Sequence, residues 1–251
     1  MTRLLAIALF AAACTPKNVQ IREEPEWRTE AGQERVRIQL IESLIERGNG
    51  REALILIRTA RDKGDDDLTL DLHQAAALHL TGMADESERL LMRYLSQRTR
   101  DERAWRRLGL IQADEGRPQD AIESFRRATE LDAEHAPSWN NLGFLLLSQD
   151  RYEEAVDALQ HALDLDGTNM RYRNNLGFAL AGAGRTGDAL QTFMSAALPA
   201  DAHANMGLAF EMMDETQSAI EQYELAVQYQ PNHAASNEAL QRLTPPVETA
   251  P

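Results

Sequence analysis

Several features that mark common classes of protein are scarce in this chain of 251 residues. It has one cysteine, so a disulfide framework within a single chain is impossible. Aromatic residues make up only 6% of the sequence, which is typical of a fold built mainly from alanine and leucine. The net charge of −14 argues against non-specific nucleic-acid binding and against attraction to anionic lipid headgroups. Any attachment to a membrane must therefore come from something other than surface charge.

The first fourteen residues, MTRLLAIALFAAAC, combine a basic start at Arg3 with an apolar run over Leu4–Ala13. This run is too short to cross a bilayer as a helix. The segment resembles a bacterial lipoprotein signal peptide, which implies that residues 1–13 are removed and that Cys14 carries the lipid anchor. With Thr15 and not aspartate after the cysteine, the resemblance implies the outer membrane, facing the periplasm, if the organism is Gram-negative. An ordinary cleaved secretory signal with an incidental cysteine is the alternative.

Two polar segments flank the main part of the chain. Residues 14–33 contain Pro16 and Pro25 and lack helical periodicity until their end, which predicts a lipidated tether. Residues 244–251, TPPVETAP, cannot continue a helix, so we predict a disordered tail there.

The rest of the chain repeats itself with a period of 34 residues. The motif NNLGF occurs at Asn140–Phe144 and again at Asn174–Phe178, with a looser copy, HANMGLAF, at His203–Phe210. Several independent columns agree on one period, which makes the signal strong. The columns are Leu108, Leu142 and Leu176; Gly109, Gly143 and Gly177; Ala121, Ala155 and Ala189; Ala128, Ala162 and Ala196; and Gly48, Gly82, Gly116 and Gly184, with Asp150 in the intervening slot.

Within each repeat the apolar spacing is helical twice over. In the third repeat Trp105, Leu108 and Ile111 mark the stripe of a first helix, and a second stripe follows a short polar turn. Gly116 fits the left-handed end of the first helix, and Pro118 fits the first turn of the second. Each repeat is therefore predicted to be a helix–turn–helix hairpin.

A 34-residue hairpin with tryptophan, Leu-Gly, alanine, phenylalanine and alanine in this order resembles the tetratricopeptide repeat. The resemblance implies an all-α solenoid of about six hairpins with a C-terminal capping helix, in which the first helix of each hairpin lines a concave groove. The first two repeats are degenerate, since Ile41 and Ala75 replace the glycine and Ser87 replaces the alanine. The predicted units are 34–67, 68–101, 102–135, 136–169, 170–199 and 200–233, followed by the capping helix 234–243.

One interval between repeats is shorter than the others. From Gly177 to Gly207, and likewise from Ala189 to Ala219, the spacing is 30 residues. All columns shift together, so four residues are missing near the stretch ALPADAH. We predict that Pro199 ends the preceding helix early and that the superhelical pitch changes locally there.

The sequence shows no catalytic or metal-binding arrangement of residues. Of the six histidines only His73 and His79 are predicted to share a helix, and their spacing of six points them to different sides. Metal-ligand spacing and a glycine-rich phosphate loop are absent as well. The sequence therefore predicts a protein that is not an enzyme, with no cofactor, no metal site and no small-molecule substrate.

The second asparagine of each motif falls in one column of the predicted concave wall, at Asn141, Asn175 and Asn205. In related repeat arrays, asparagines in this column form a ladder that holds an extended peptide. An amide both donates and accepts, and so matches a peptide bond without reading its side chain. The alternative is that asparagine is simply common in this column and binds no ligand. The earlier residues of the column are Gln39, His73 and Arg107, and the apolar neighbours on the wall are Phe144, Leu147, Phe178 and Leu208.

A second candidate contact is a group of arginines in the third repeat of this otherwise acidic chain. Arg103 and Arg107 are four residues apart, hence on one helix face, and are candidates to bind a partner's carboxylate. Ion pairing with Asp101, Glu102 or Asp132 is the alternative. The pattern matches the carboxylate clamp of chaperone-binding tetratricopeptide repeats only in part.

These features favour a scaffold lipoprotein that binds another envelope protein or peptide segment in its groove. The signal, short tether and six repeats are similar to pilotin-type lipoproteins of type IV pilus secretins and to tight-adherence (Flp) pilus lipoproteins. The resemblance implies a role in assembling a pilus or secretin machine. Two alternatives stay open: an adaptor that docks periplasmic proteases or cell-wall hydrolases, and an accessory subunit of an enzyme complex. The groove could also be filled by the chain's own segment, with Trp27 as one candidate.

Overall fold

The structure is a computed structural model, and it describes residues 29–65, 67–195 and 197–244. Within these residues the chain forms thirteen α-helices and no strand, and consecutive helices contact each other throughout. The all-α solenoid predicted from the sequence is confirmed. The helices are α1 (Glu30–Glu46), α2 (Gly50–Asp62), α3 (Thr69–Leu80), α4 (Ala84–Gln97), α5 (Glu102–Asp114), α6 (Pro118–Leu131), α7 (Ala136–Ser148), α8 (Tyr152–Leu165), α9 (Met170–Gly182), α10 (Thr186–Met194), α11 (Pro199–Met212), α12 (Thr216–Tyr229) and α13 (Ala234–Leu243).

The first helix of each hairpin is followed by a residue in the left-handed backbone conformation. Glycine occupies this position in four hairpins, where it carries no steric penalty, and aspartate occupies it in two. Asp150 has a φ of 57° and Asp214 a φ of 60°, and the Oδ1 of Asp150 accepts a hydrogen bond of 2.6 Å from the hydroxyl of Tyr152. The backbone can therefore turn into the second helix at the same point of every hairpin. The glycines are Gly48, Gly82, Gly116 and Gly184.

α1 begins four residues earlier than the predicted first repeat. The Oγ1 of Thr29 accepts a hydrogen bond of 3.0 Å from the backbone nitrogen of Gly32, and this N-cap starts the helix at Glu30. Residues 30–33 therefore belong to α1 and not to the tether. The predicted signal peptide, Cys14, the tether residues 15–28 and the tail after Thr244 lie outside the described residues.

The short repeat interval coincides with a short helix. α10 has nine residues whereas α12 has 14. The prediction that Pro199 ends the preceding helix is wrong, because α10 already ends at Met194 and Pro199 is the first residue of α11. Proline suits that position, since the N–H of a first helical residue has no partner within the helix. The local change of superhelical pitch stays a prediction.

The glycine column lets the two helices of a hairpin approach closely. A Cβ atom at Gly143 would lie 2.5 Å from Cγ of Leu159 and 3.2 Å from the backbone nitrogen of the same residue. The glycine thus leaves room for a large side chain of the second helix. The same relationship joins Gly109 to Phe125, Gly177 to Phe193 and Gly207 to Tyr223.

Buried apolar side chains form a continuous core from α6 to α11. Phe125, Leu146, Leu159 and Phe193 are each at most 2% exposed and belong to this one cluster. A single hairpin could not bury such side chains alone, so stacking of neighbouring hairpins stabilises the fold.

Candidate partner-binding surface

The odd-numbered helices lie side by side along one wall of the stack. α1 contacts α3, α3 contacts α5, α7 contacts α9, and α9 contacts α11. Among the described residues, consecutive even-numbered helices show no comparable packing on one another. Elements on the inside of a curved stack lie closer together than those on the outside, so the odd-numbered helices line the concave wall.

Three asparagines of the predicted column lie on this wall, in α7, α9 and α11. Asn141, Asn175 and Asn205 are each half-buried. The Nδ2 of Asn175 donates a hydrogen bond of 2.9 Å to the Oδ1 of Asn140, whose own Nδ2 lies 3.4 Å from the Oδ1 of Asn141. Asn140 itself is only 3% exposed. The first asparagine of the motif therefore positions the two amides of the column and joins α7 to α9.

This pairing of amides does not continue into the next repeat. Asn174 corresponds to Asn140 and Asn205 to Asn175, yet the Oδ1 of Asn174 is buried and has no hydrogen-bond partner in the described part of the chain. Asn205 lines a depression of about 610 Å³ between α11 and α13. Of the three column amides, the one at Asn205 is therefore the most available to a ligand.

An apolar column runs beside the amides, one residue after each glycine. Phe144 is 54% exposed and Leu208 is 45% exposed. Phe178 is half-buried, with its ring edge-on to that of Phe193 at a centroid distance of 5.2 Å. Leu110 occupies the same column in α5 and is 37% exposed, although it was not predicted as a contact residue. The sequence does carry a signal for Leu110, because it directly follows Gly109 as the other members of the column follow their glycines.

The placement of Leu147 on the open wall is wrong. Leu147 is 8% exposed and belongs to the core cluster between α6 and α11. It lies three residues after Phe144, a rotation of about 60° around the helix axis, and this turns its side chain towards the neighbouring helices.

The two predicted arginines differ in their surroundings. Arg103 is half exposed, and its Nη2 pairs with the Oδ2 of Asp101 at 3.1 Å, which is the alternative stated for it. Arg107 forms no ion pair within the described residues, and its buried Nε has no hydrogen-bond partner there. Burial, together with the charges of Arg106 and Arg103, lowers the pKa of Arg107 to about 10. Arg107 is still a cation at neutral pH, and it is the arginine that a partner's carboxylate would stabilise most.

The wall is closed in the second repeat by contacts within the chain. His73 fills the amide column there and is 4% exposed. Its Nδ1 lies 2.8 Å from the carbonyl oxygen of Thr69, and its Nε2 lies 3.2 Å from the Oε1 of Glu42. Glu42 belongs to α1, so this contact joins α1 to α3. The open part of the wall therefore extends from α5 to α13.

The C-terminal end of the wall is acidic. Asp201, Glu211 and Glu238 line the depression between α11 and α13. Arg242 donates two hydrogen bonds to Glu211, of 2.6 and 3.0 Å, and the hydroxyl of Tyr223 donates a third of 2.6 Å. The bonds from Arg242, opposed by burial and aided by Tyr223, hold the pKa of Glu211 below its ordinary value. The wall thus changes from arginines at α5, through neutral amides, to carboxylates at α11 and α13.

Within residues 29–65, 67–195 and 197–244, no group of three or more His, Cys, Asp and Glu side chains is placed to hold a metal ion. In the same part of the chain, no helix has both the length and the apolar content needed to cross a membrane.

Comparison with known families identifies the repeat. Three tetratricopeptide repeat models match the chain, at residues 100–167, 140–205 and 200–233. Together these matches span residues 100–233, which is more than half of the chain. The comparison with curated proteins found no significant match.

Solved structures with the same architecture share little sequence with this chain. YrrB, described as a TPR protein with an unusual peptide-binding site, is 21% identical, with a TM-score of 0.60 over 73% of this chain and 96% of its own. MamA is 24% identical, with a TM-score of 0.53 over 64% of this chain and 96% of its own. The Cut9–Hcn1 hetero-tetramer of the APC/C is 18% identical, with a TM-score of 0.57 over 81% of this chain and 41% of the matched chain. At these identities the likeness shows the fold alone.

Proposed function

Because this chain belongs to the tetratricopeptide repeat family, we propose that it is a non-enzymatic scaffold whose concave wall holds an extended segment of a partner polypeptide. The observation that carries the proposal is that a column of amides and a column of apolar side chains run side by side on that wall. The amides of Asn141, Asn175 and Asn205 suit the backbone of such a segment, because each can both donate and accept. The exposed side chains of Phe144 and Leu208 suit apolar side chains, which project at every second residue of an extended chain.

The order of charges along the wall supports one direction for the bound segment. Arg107 lacks an ion pair at α5, while Asp201 and Glu238 lie at the other end. Opposite charges across an interface fix the register of the partners and exclude the reversed arrangement. The segment therefore places its acidic or carboxyl-terminal end at α5 and its basic end at α11 and α13.

The cellular setting is part of the proposal and rests on the N-terminal residues. The resemblance of MTRLLAIALFAAAC to a lipoprotein signal supports a lipid anchor on Cys14, in the bacterial outer membrane and facing the periplasm. The partner is then another envelope protein. The similarity to pilotin-type and tight-adherence lipoproteins supports assistance in the assembly of a pilus or secretin machine. We expect less multimeric secretin in the membranes of a deletion strain; unchanged multimers would reject this role and favour an adaptor for proteases or cell-wall hydrolases.

Site-specific photocrosslinking tests the wall itself. A photoreactive residue at Leu208 on α11 should capture a defined polypeptide in living cells, because that side chain lies on the concave wall. The matched control is the same residue at Ile55, which is 64% exposed but lies on α2. Replacing Asn141, Asn175 and Asn205 together by alanine should reduce the capture at position 208. Equal capture at both positions, or capture that the alanines leave unchanged, would contradict the proposal.

A further inference from the structure

One edge of the stack has a notch where the second helix of the fifth hairpin is short. Ala155, Ala189 and Ala219 occupy one column, in α8, α10 and α12. α8 and α12 each end ten residues after this alanine, whereas α10 ends five residues after it. Five residues of helix are about 7.5 Å long at a rise of 1.5 Å per residue. The end of α12 therefore projects beside a recess of similar depth at the end of α10.

Exposed apolar side chains lie on both the recess and the projection. Met194, the last residue of α10, is 41% exposed, and Leu198, the N-cap of α11, is 65% exposed. Tyr229, the last residue of α12, is 60% exposed, and its ring stacks on that of the buried His203 at a centroid distance of 5.4 Å. The stacking holds the projecting ring in one orientation before any partner binds, which lowers the entropic cost of association.

Charged residues are missing from the sequence around both features. The stretches ALQTFMSAALPA, residues 189–200, and LAVQYQPNHAASN, residues 225–237, contain no Asp, Glu, Lys or Arg, although these make up 26% of the chain. The corresponding junctions after α4, α6 and α8 do carry charge, with Arg98, Asp132 and Asp166 among their residues. Depletion of charge together with exposed aromatic and methionine side chains is the composition of the centre of a protein interface.

We propose that this edge binds the same edge of a second copy of the chain, with the end of α12 of each copy seated in the notch of the other. A projection and a recess that lie side by side are self-complementary under a two-fold axis, because the rotation places each opposite the other. Tyr229 of one copy then contacts Met194 and Leu198 of the other, and the reciprocal contact repeats this. A peptide bound in the notch would leave Tyr229 exposed, whereas a second copy covers both features at once.

The size of the edge indicates a weak dimer. Four helix ends meet there, those of α10, α11, α12 and α13, and with about 8–10 Å between packed axes they cover roughly 400 Å² in projection. A stable interface buries about 800 Å² on each partner, and smaller contacts belong to weak, reversible complexes. The copies should therefore exchange between monomer and dimer at micromolar concentrations. Because the contact is made by helix ends, it leaves the side of α11 that carries Leu208 open.

Sedimentation velocity of the full chain over about 5–500 µM measures this association. Cys14→Ser is included throughout, so that neither a lipid nor a disulfide joins the copies. We expect the weight-average sedimentation coefficient to rise from monomer towards dimer. Leu198→Lys or Tyr229→Glu should move the midpoint at least about tenfold to higher concentration, because each places a charge at the centre of the contact. Ile55→Lys, at a side chain that is 64% exposed on α2, is the matched control and should leave the midpoint unchanged.

A mixture of the two single variants tests the reciprocal arrangement. In a heterodimer of Leu198→Lys with Tyr229→Glu, one of the two contacts brings opposite charges together and the other keeps leucine against tyrosine. The mixture should therefore dimerise more tightly than either variant alone. Circular dichroism verifies that each variant keeps its helices.

Disulfide trapping gives a second, independent measurement. Leu198→Cys chains mixed with Tyr229→Cys chains should form a covalent dimer under mild oxidation, whereas Ile55→Cys chains mixed with Tyr229→Cys chains should not. A chain that stays monomeric at all these concentrations, with no covalent dimer from the mixture, would overturn the proposal. So would an association that Leu198→Lys and Tyr229→Glu leave unchanged, or covalent dimers that form equally fast from Leu198→Cys chains alone.

Discussion

Asn175 and Asn140 are hydrogen-bonded across the junction of two repeats, Nδ2 to Oδ1 at 2.9 Å. The bond explains why the motif keeps two adjacent asparagines. The first asparagine is buried and holds the amide of the following repeat, while the second lies half-buried on the concave wall. In the next junction Asn174 and Asn205 occupy the same columns without this bond.

The bond between repeats predicts unequal effects of two similar substitutions. Asn140→Ala should lower the free energy of unfolding by about 1 kcal/mol, because the half-buried amide of Asn175 loses its acceptor. Asn205→Ala removes no side-chain bond within the described residues and should change stability by less than about 0.5 kcal/mol. Urea denaturation of the two variants measures both values, and equal losses would contradict the assignment.

A pair of glycine substitutions tests the close packing within a hairpin. Gly143→Ala should destabilise the fold by about 1–3 kcal/mol, since its Cβ would meet Leu159 at both side chain and backbone. Gly187→Ala is the matched control. A Cβ at Gly187 has no heavy atom within 4 Å, so alanine there should add about 0.5 kcal/mol of helix stability. If thermal unfolding shows both variants to be more stable than the wild type, or both to be less stable, this account is refuted.

The carboxyl group of Asp101 predicts a loss of stability in acid. Burial raises its pKa, but hydrogen bonds from Arg103 and Tyr94 outweigh burial and leave the pKa below its ordinary value. Such a group stabilises the fold above its unfolded pKa, about 3.9, and the stabilisation is lost as the pH falls through the folded pKa. Asp101→Asn should therefore be less stable than the wild type at pH 6, and the difference should close as the pH falls below about 4. A difference in urea midpoints that is independent of pH would show that the charge plays no part.

The hydroxyl of Tyr94 predicts a loss of stability at high pH, whereas Asp101 predicts one at low pH. Burial, and then its hydrogen bond of 2.6 Å to Asp101, raises the pKa of Tyr94 to about 12. Because the folded pKa exceeds the unfolded value near 10, the contribution is complete below about pH 10 and is lost as the pH rises towards the folded value. Tyr94→Phe should thus be less stable than the wild type at pH 8, and this difference in stability should shrink between about pH 10 and 12. Spectroscopic titration of the phenol verifies the cause, and an ordinary tyrosine titration would contradict it.

Arg107 predicts a conflict between stability and binding. Replacing this half-buried, unpaired cation by methionine should raise the free energy of unfolding by about 1 kcal/mol, since no ion pair is lost and burial becomes favourable. The same substitution should weaken photocrosslinking of the partner at position 208. Arg103→Met, which leaves Asp101 without its cation, is the comparison and should not be stabilising. A variant of Arg107 that gains stability and keeps full crosslinking would assign this residue no part in binding.

The sequence predicts the periodic part of this structure well and the local polar contacts poorly. Columns such as Gly109, Gly143 and Gly177 follow from spacing alone, because the packing of each hairpin demands the same small residue. Leu147 and Pro199 were misjudged, since their roles depend on where neighbouring helices lie and on where one helix stops.

The hydrogen-bond and ion-pair partners of a side chain also depend on where neighbouring helices lie. The spacing of residues in the sequence does not reveal them. The sequence left Asp101, Glu102 and Asp132 open as partners of Arg103. The pairing with Asp101 depends on its position at the N-cap of α5, where its carboxylate also accepts a hydrogen bond from the backbone nitrogen of Arg103. Asn140 looks equivalent to Asn141 in the sequence, yet one is buried and the other lies on the wall. Val36 is exposed because it lies in the first helix of the stack and no described helix precedes that helix. Its exposure therefore depends on the order of the repeats and not on the residues within them.

The shortness of α10 has a consequence for how the protein opens. In a stack, each unit couples mainly to its neighbours, and the nine-residue α10 offers those neighbours a shorter packing surface than the 14-residue α12. We therefore expect the amide hydrogens of α10 to exchange sooner than those of α12. A bound polypeptide that touches both α9 and α11 would bridge this short helix and should slow that exchange.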